Sequence, residues 1–383
     1  MNSRERVLRA FRVKEGMPDR IPVQFDLCRS LQDHFADELG LESKYTNNLF
    51  EDVTYRISGN EIRLALGSEV VVVGASESAS FTPERFDDGT WLNEYKMRMR
   101  QGDIYVEVTE YPLASARTRA DIDAYEWPDA GDPSRYTDAE ELIAKYGNDY
   151  FIIGDIEVTI LSLAQQLVGM EKLLMDMALE EEYVPYLFEK CEAFQTKVGL
   201  ELVKRGVDAV WVGDDFGSQQ SLLFSPDMFR RLLKEHYTRQ VRTLKAAKKT
   251  LIEDARHRPD QRVHESELVM ILHSDGAVKM LLDDIKDIGF DVFNPVQPGV
   301  PGHSPREIED EYGDKFAFWG GIDQQYLMPN GSDEELEADI KGKCETLGEG
   351  GGYMIAPAHI IQSDVSPERV KFFIEMCRKH GEY

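Results

Sequence analysis

Cysteine is scarce: the 383 residues hold four, Cys28, Cys191, Cys344 and Cys377, with no Cys-x-x-Cys pair among them. Such scatter gives no sign of a disulfide-stapled secreted scaffold, and a reducing cytoplasm is the expected setting. Long apolar runs are missing too. No stretch approaches the ~18 residues of a transmembrane helix, and Met1-Asn2-Ser3-Arg4-Glu5-Arg6 carries no apolar leader core, so neither membrane insertion nor export is expected. Positive charge is in deficit, with 44 Lys and Arg against 71 Asp and Glu and a formal charge of −27. That leaves no cation surplus for phosphates and excludes a free nucleic-acid binder. No dinucleotide glycine fingerprint follows the first apolar run, and the glycine-rich stretch 348–352 is not followed by Lys-Ser/Thr, so a phosphate loop is not expected.

What is present is the content of a globular enzyme: 42% hydrophobic and 30% charged residues. Ser3 reads as the N-cap of a first helix in which Val7, Leu8, Ala10 and Phe11 keep helical spacing. A pattern then repeats: a short apolar run, a polar or acidic residue at its end, and an amphipathic stretch of helical length. The runs fall at 20–26, 66–73, 151–156, 207–213, 269–273, 291–295, 316–320 and 353–357. Helical stretches include 181–204, 225–248, 277–288 and 332–347, capped by Ser225 and Ser332 where those residues begin them. Eight such alternations predict an α/β protein of the (β/α)8 TIM-type barrel class, a single domain over 1–383. Two insertions interrupt it. One, at about 78–147, holds a β-hairpin over 91–113 around Gln101-Gly102-Asp103 and continues as a loop-rich stretch; the other is a charged segment at about 249–267.

In such a barrel the active site forms from loops at the C-terminal strand ends. Those ends read Asp26, Asp155 with Glu157, Asp214 with Asp215, His273 with Asp275, Asn294 with Gln297, Asp323, and His359. Any hydrated loop is polar, but the bias to Asp, Glu and His points to chemistry or a metal. His273 and Asp275 follow the fifth run and His359 the eighth, and those loops converge on one mouth. Two histidines and a carboxylate form the open ligand set of a catalytic Zn2+ site; the competing reading is hydrogen-bonded histidines with no metal. Consecutive strand residues point to opposite faces, so only one of Asp214 and Asp215 enters the mouth, as acid or base, as an orienter of a ligand, or as a plain turn residue. Asp155 and Glu157 share a face and can both enter, or else cap a helix beginning near Thr159. His34 and His236 in helical stretches, His380 in the C-terminal tail, and His257 and His264 in the charged insertion read as surface or packing residues. Ser304 reads as a helix cap before Pro305.

Several segments resemble the uroporphyrinogen decarboxylase superfamily. They are Ser3-Arg4-Glu5-Arg6-Val7-Leu8, Pro18-Asp19-Arg20-Ile21-Pro22-Val23, Gly206-Val207-Asp208-Ala209-Val210 and Gly213-Asp214-Asp215-Phe216-Gly217. Further along come Phe293-Asn294-Pro295-Val296-Gln297-Pro298, Phe318-Trp319-Gly320-Gly321-Ile322-Asp323 and Gly351-Gly352-Tyr353-Met354-Ile355-Ala356-Pro357. The resemblance spans almost the whole chain and implies a TIM-type barrel, with a homodimer as a common assembly. True decarboxylases of this superfamily carry Arg-Gln-Ala-Gly-Arg after the first strand for the tetrapyrrole carboxylates. Here that stretch is Asp26-Leu27-Cys28-Arg29-Ser30-Leu31-Gln32, with a single Arg, and an acidic mouth suits such a substrate poorly.

The other branch is similar to the cobamide-dependent methyltransferases, whose zinc is held by His-x-Cys-Gly and by a Cys in Ala-Pro-Gly-Cys. This chain has His273-Ser274-Asp275-Gly276 and Ala356-Pro357-Ala358-His359 at those places, so both thiolates are replaced by harder donors. The resemblance implies a metal-dependent methyltransferase that moves a methyl group from a small O- or N-methylated compound to a corrinoid protein. Zn2+ would sit on His273, Asp275 and His359, and the cobamide would be carried by the partner. Asp215 or Glu157 would supply a proton or hold a ligand, while Asn294, Gln297 and Asp214 would meet the substrate. Two alternatives stand: a decarboxylase using Asp26 or Asp215 to stabilise a protonated intermediate, and a barrel that binds a tetrapyrrole or corrinoid without turnover.

Charge is uneven as well. Residues 228–262 carry eleven Lys and Arg against four acids. A helix with a solvated basic face accounts for this, and so does a docking patch for an acidic corrinoid protein.

Overall fold

A computed structural model describes residues 1–48, 54–102, 106–255 and 266–383. Its strands, in chain order, are β1 (Val70–Gly74), β2 (Glu84–Arg85), β3 (Trp91–Leu92), β4 (Arg98–Gln101), β5 (Val106–Glu110), β6 (Phe151–Asp155), β7 (Ala209–Gly213), β8 (Val269–His273), β9 (Val292–Asn294), β10 (Ala317–Trp319) and β11 (Tyr353–Met354). Seven of them curl into one parallel sheet ordered β1-β6-β7-β8-β9-β10-β11. The eighth position belongs to residues 22–27. Pro22 has no N–H for a ladder, so the expected first strand exists only as isolated bridges, Val23 with Ile355 and Leu27 with Ile361. Ile355 donates to the Pro22 carbonyl and Gln24 to the Ile355 carbonyl, each at 3.0 Å, and Glu69 donates to the Val23 carbonyl at 3.0 Å on the other side. The TIM-type barrel is closed by these few bonds. The second run begins at Val70 rather than at 66, because Leu66 ends the helix Asn60–Leu66.

Strand alternation sorts the side chains. Val70, Val72, Phe151, Ile153, Ala209, Trp211, Val269, Ile271, Val292, Ala317, Trp319, Met354 and Ala356 pack inside the barrel, and their alternates pack outward against the helices. Val7, Leu8 and Phe11 of the first helical segment join the inner cluster. Phe11 sits 5.8 Å from Phe151 and 6.4 Å from Trp319, so the helix Ser3–Ala10 fills the barrel floor. The cap of that helix is Asn2, whose side chain accepts from the Glu5 N–H at 2.9 Å; Ser3 is already helical. The same alternation turns Asp155, His273 and Asn294 inward at the strand tops, and His273 is paired in register with Asn294.

The first insertion is more ordered than expected. β2 to β5 form an antiparallel sheet, with β4 and β5 as the expected hairpin, and the helices Arg119–Asp123 and Thr137–Tyr146 replace the loop-rich stretch. The stretch 225–248 is two helices, Pro226–Leu232 and Lys234–Ala255, and 277–288 is a 3-10 turn, Lys279–Leu281, followed by Leu282–Ile288. Asp103, His257, His264 and most of the charged insertion lie outside the described residues. His380 closes the last helix, Pro367–His380, with Nε2 2.8 Å from Glu337.

One buried acid ties floor to wall. Glu69 is 2% exposed and accepts from Arg6 on the floor helix, from Arg20 at 3.0 Å and from the Val23 N–H at 3.1 Å. Deleting one partner of a buried pair leaves uncompensated charge behind. Glu69→Ala is therefore expected to lower the unfolding free energy by about 3–5 kcal/mol in denaturant titrations. Glu38→Ala, which breaks an exposed pair with Lys371, is expected to cost less than about 1 kcal/mol.

Candidate metal centre and active site

His273, Asp275 and His359 each place one donor atom within 4.8 Å of the other two, at the C-terminal mouth of the barrel. Local chemistry prepares each. The Asn294 amide is oriented by the Trp319 carbonyl, which can only accept and takes Nδ2–H at 3.3 Å. Asn294 Oδ1 therefore faces His273 Nδ1 at 2.7 Å, which puts the ring proton on Nδ1 and leaves Nε2 with a lone pair directed at the centre. Burial and the charge of Arg56 lower the His273 pKa to about 3; burial, His273 and Arg56 lower that of His359 to about 4. Both rings are thus neutral donors at ordinary pH. Asp275 is pushed up to about 8 by burial and by the neighbouring Asp215 charge. Its loop is held by Gly276, at φ +86, where a Cβ would lie 2.5 Å from the Gly217 backbone.

Asp215 sits on the rim, half-exposed, and takes the Asp275 N–H at 2.8 Å; its Oδ1 is 4.0 Å from His273 Nε2. Partial desolvation raises its pKa. Glu157 Oε1 is 3.9 Å from the same nitrogen. Gly213 makes room for it, since a Cβ there would meet Glu157 Cγ at 2.4 Å. Asp155 accepts the Glu157 N–H at 2.7 Å, and burial raises its pKa to about 6. The shared face expected for Asp155 and Glu157 is present, and both enter the site.

The residue that organises these acids is Arg56, which the strand-end reading did not find. It bonds Glu157, reaches Asp26 Oδ2 at 3.3 Å and Asp155 Oδ2 at 3.5 Å, and lies 4.2 Å over the Trp211 ring. Trp211 in turn stacks on His273 at 5.3 Å and 22°. Arg63, on the helix Asn60–Leu66, bonds Asp26 Oδ1, which also accepts from Gln24 at 2.9 Å. Asp26, expected as a catalytic acid of the decarboxylase reading, thus has both oxygens engaged by cations. Arg56 comes 30 residues after Asp26, within a long excursion from the barrel, which is why reading one step past each strand misses it.

Two expected substrate contacts have other partners. Asp214 points outward, 2% exposed, and accepts from the N–H groups of Ile160, Leu161 and Ser162 at 2.8, 3.3 and 2.7 Å and from Tyr237 at 2.5 Å. It caps the helix Leu161–Val168, which lacks a cap of its own and starts after Thr159 as a result. Asn294 is 5% exposed and orients His273. Gln297 does line the mouth, with its Oε1 on the Gly276 N–H at 2.7 Å. In the basic segment, Arg230 and Lys234 pair with Asp284, Arg231 with Glu180, Arg239 with Glu192 and Lys245 with Asp291, so much of its charge is already matched within the chain.

A histidine and carboxylate centre at the C-terminal mouth of a (β/α)8 barrel is the layout of a barrel enzyme. The chain belongs to the uroporphyrinogen decarboxylase family, described as Uroporphyrinogen decarboxylase (URO-D), whose profile matches residues 96–380. A uroporphyrinogen decarboxylase of Schizosaccharomyces pombe is 33% identical over 118 residues, 30% of this chain and 31% of that protein, so the match spans about a third of the relative. A solved methyltransferase from Methanosarcina mazei shares the fold across 99% of both chains, with a TM-score of 0.69 at 16% identity. Among the described residues no helix is long and apolar enough to cross a membrane.

The donor set fits a zinc ion: two neutral imidazoles, one carboxylate, and a buried amide holding one ring in its ligating tautomer. Asn294→Leu is expected to weaken zinc binding by about 10–100-fold in chelator competition, because His273 loses its fixed tautomer. Asp275 must lose its proton to ligate, and burial beside the Asp215 charge holds its pKa above the usual carboxylate range. Zinc affinity should therefore rise with pH across the range in which Asp275 ionises, with one proton released per zinc, and flatten above it. A slope of two across that range would mean that a histidine is also protonated.

Proposed function

We propose that the protein transfers a methyl group from a small O- or N-methylated compound to the cobalt of a separate corrinoid protein, in a metal-dependent reaction. The convergence of His273, Asp275 and His359 at the mouth carries this reading. A zinc ion held by these three residues would supply a Lewis acid to the heteroatom that the methyl group leaves. Asn294 fixes the His273 ring, and Trp211 backs it. The methyl carbon would take the electron pair of its new bond from the partner's cobalt(I), and the pair of the breaking carbon–oxygen bond of a methyl ether stays on oxygen. Asp215, with its raised pKa and half-exposed side chain, donates the proton that oxygen needs and is reprotonated from solvent. Glu157 is held by Arg56 and keeps a negative edge facing the His273 ring. The mouth opens to solvent along the Asp215 rim, which gives a cobamide-bearing partner a place to approach.

Zinc-loaded protein mixed with cob(I)alamin and a methyl ether or methylated amine is expected to form methylcobalamin, followed by absorbance. His273→Ala and His359→Ala should each slow that transfer by about a hundredfold or more and lower the bound zinc measured by elemental analysis. Full activity of metal-free protein, or no transfer from any methylated donor, would overturn the reading. Conversion of uroporphyrinogen to coproporphyrinogen would place the chain with the decarboxylases.

A further inference from the structure

Beside Asp275 and His359 lies a cavity of about 110 Å3, lined by Gln219, Gln297, Gln324 and Asp323 and, as its apolar share, by Pro298 and Ala358. The directions of its amides are fixed by groups that can only donate. The Gly276 N–H gives to Gln297 Oε1 at 2.7 Å, so the Nε2 of Gln297 faces Gln219 and donates to its Oε1 at 3.1 Å. The Nε2 of Gln219 is left as a donor with no partner among the described residues. The His359 N–H gives to Gln324 Oε1 at 3.2 Å, which likewise turns the Gln324 Nε2 away as a second open donor. Asp323 uses Oδ1 on the N–H groups of Gln325 and Tyr326, at 2.7 and 3.0 Å. Three glutamine oxygens are thus consumed by the protein, and amide donors remain next to the candidate ligands.

We propose that Gln219 and Gln324 receive a compact oxygen acceptor carried by the methylated substrate, best a carboxamide and less well a carboxylate, because Asp275 and Asp323 share the cavity. The size agrees: an apolar cavity of about 150 Å3 accepts a benzene ring, whereas this one is smaller and only about half apolar. The substrate class is therefore a short methoxy or methylamino acid or amide rather than a methoxylated ring. Anchoring the acceptor in this cavity sets the neighbouring heteroatom beside Asp275 and His359. The inference rests on the methyl-transfer reading for the role of the substrate, but its binding test does not.

Calorimetric titration of the zinc-loaded protein with methoxyacetate, methoxyacetamide and anisole tests it. At least one of the first two is expected to bind, anisole is not, and Gln219→Leu and Gln324→Leu should each weaken binding about tenfold with one zinc per chain retained. Gln324→Glu keeps an oxygen for the His359 N–H and separates the two acceptors: it should reject methoxyacetate and still accept methoxyacetamide if the amide is the better probe. The inference fails if neither acceptor probe binds, if both leucine variants bind as the parent does, or if anisole binds more tightly. Glutamine-dependent binding with no methyl reaching cob(I)alamin would support the pocket and remove the methyl-transfer reading. Transfer from anisole unchanged by either leucine variant would do the reverse.

Discussion

Three carboxylates, Asp26, Asp155 and Glu157, are gathered around a single guanidinium, that of Arg56, and each of their side chains is about a tenth exposed. Taking ionised carboxylates out of water costs several kcal/mol each even after relaxation, so a cluster of this kind persists only with a cation inside it. Arg56 supplies that cation and Arg63 reinforces it from below. The same positive charge works on the opposite kind of group: it discourages protonation of His273 and His359 and keeps their nitrogens available. Trp211 joins the two effects in one stack, with Arg56 over its ring and His273 against it. The acid cluster thus depends on one buried charge, which also adds to the burial that keeps the two histidines neutral.

Much of this was legible in the sequence wherever it followed from strand period. The ends of the apolar runs gave His273, Asp275, His359, Asp155 and Glu157, all of which meet at the mouth, and alternation required Asp214 and Asp215 to part. Alternation could not tell where Asp214 would go, because the helix it caps is anchored on a neighbouring strand. Nor could it reveal that Asn294 serves His273, since that depends on the register between β8 and β9. Arg56 was out of reach for a different reason: a long connection brings it back across the mouth, and nothing in its local sequence marks the return. The first strand was found, but not its poverty in ladder bonds, which Pro22 dictates.

The cysteines sharpen the contrast with the thiolate-ligated branch that the motifs resemble. All four are buried as free thiols, none of them among the candidate metal ligands. Burial raises the pKa of Cys191, Cys344 and Cys377, so these sulfurs behave as packing atoms. A metal held by the nitrogen and oxygen donors of His273, Asp275 and His359 would favour hard partners such as ethers and amines over thiols.

The helix that fills the barrel floor has a consequence for traffic. With Val7, Leu8 and Phe11 packed among the inner residues of the strands, the barrel is a cup and not a tube. Whatever reaches the histidines enters over the rim and leaves over the rim. If the protein works with a cobamide carrier as proposed, a small donor and that carrier would share one doorway, and the docked carrier would cover it. On the methyl-transfer reading proposed above, turnover would follow a compulsory order: the small molecule first, the carrier second, and the demethylated product held until the carrier lifts away.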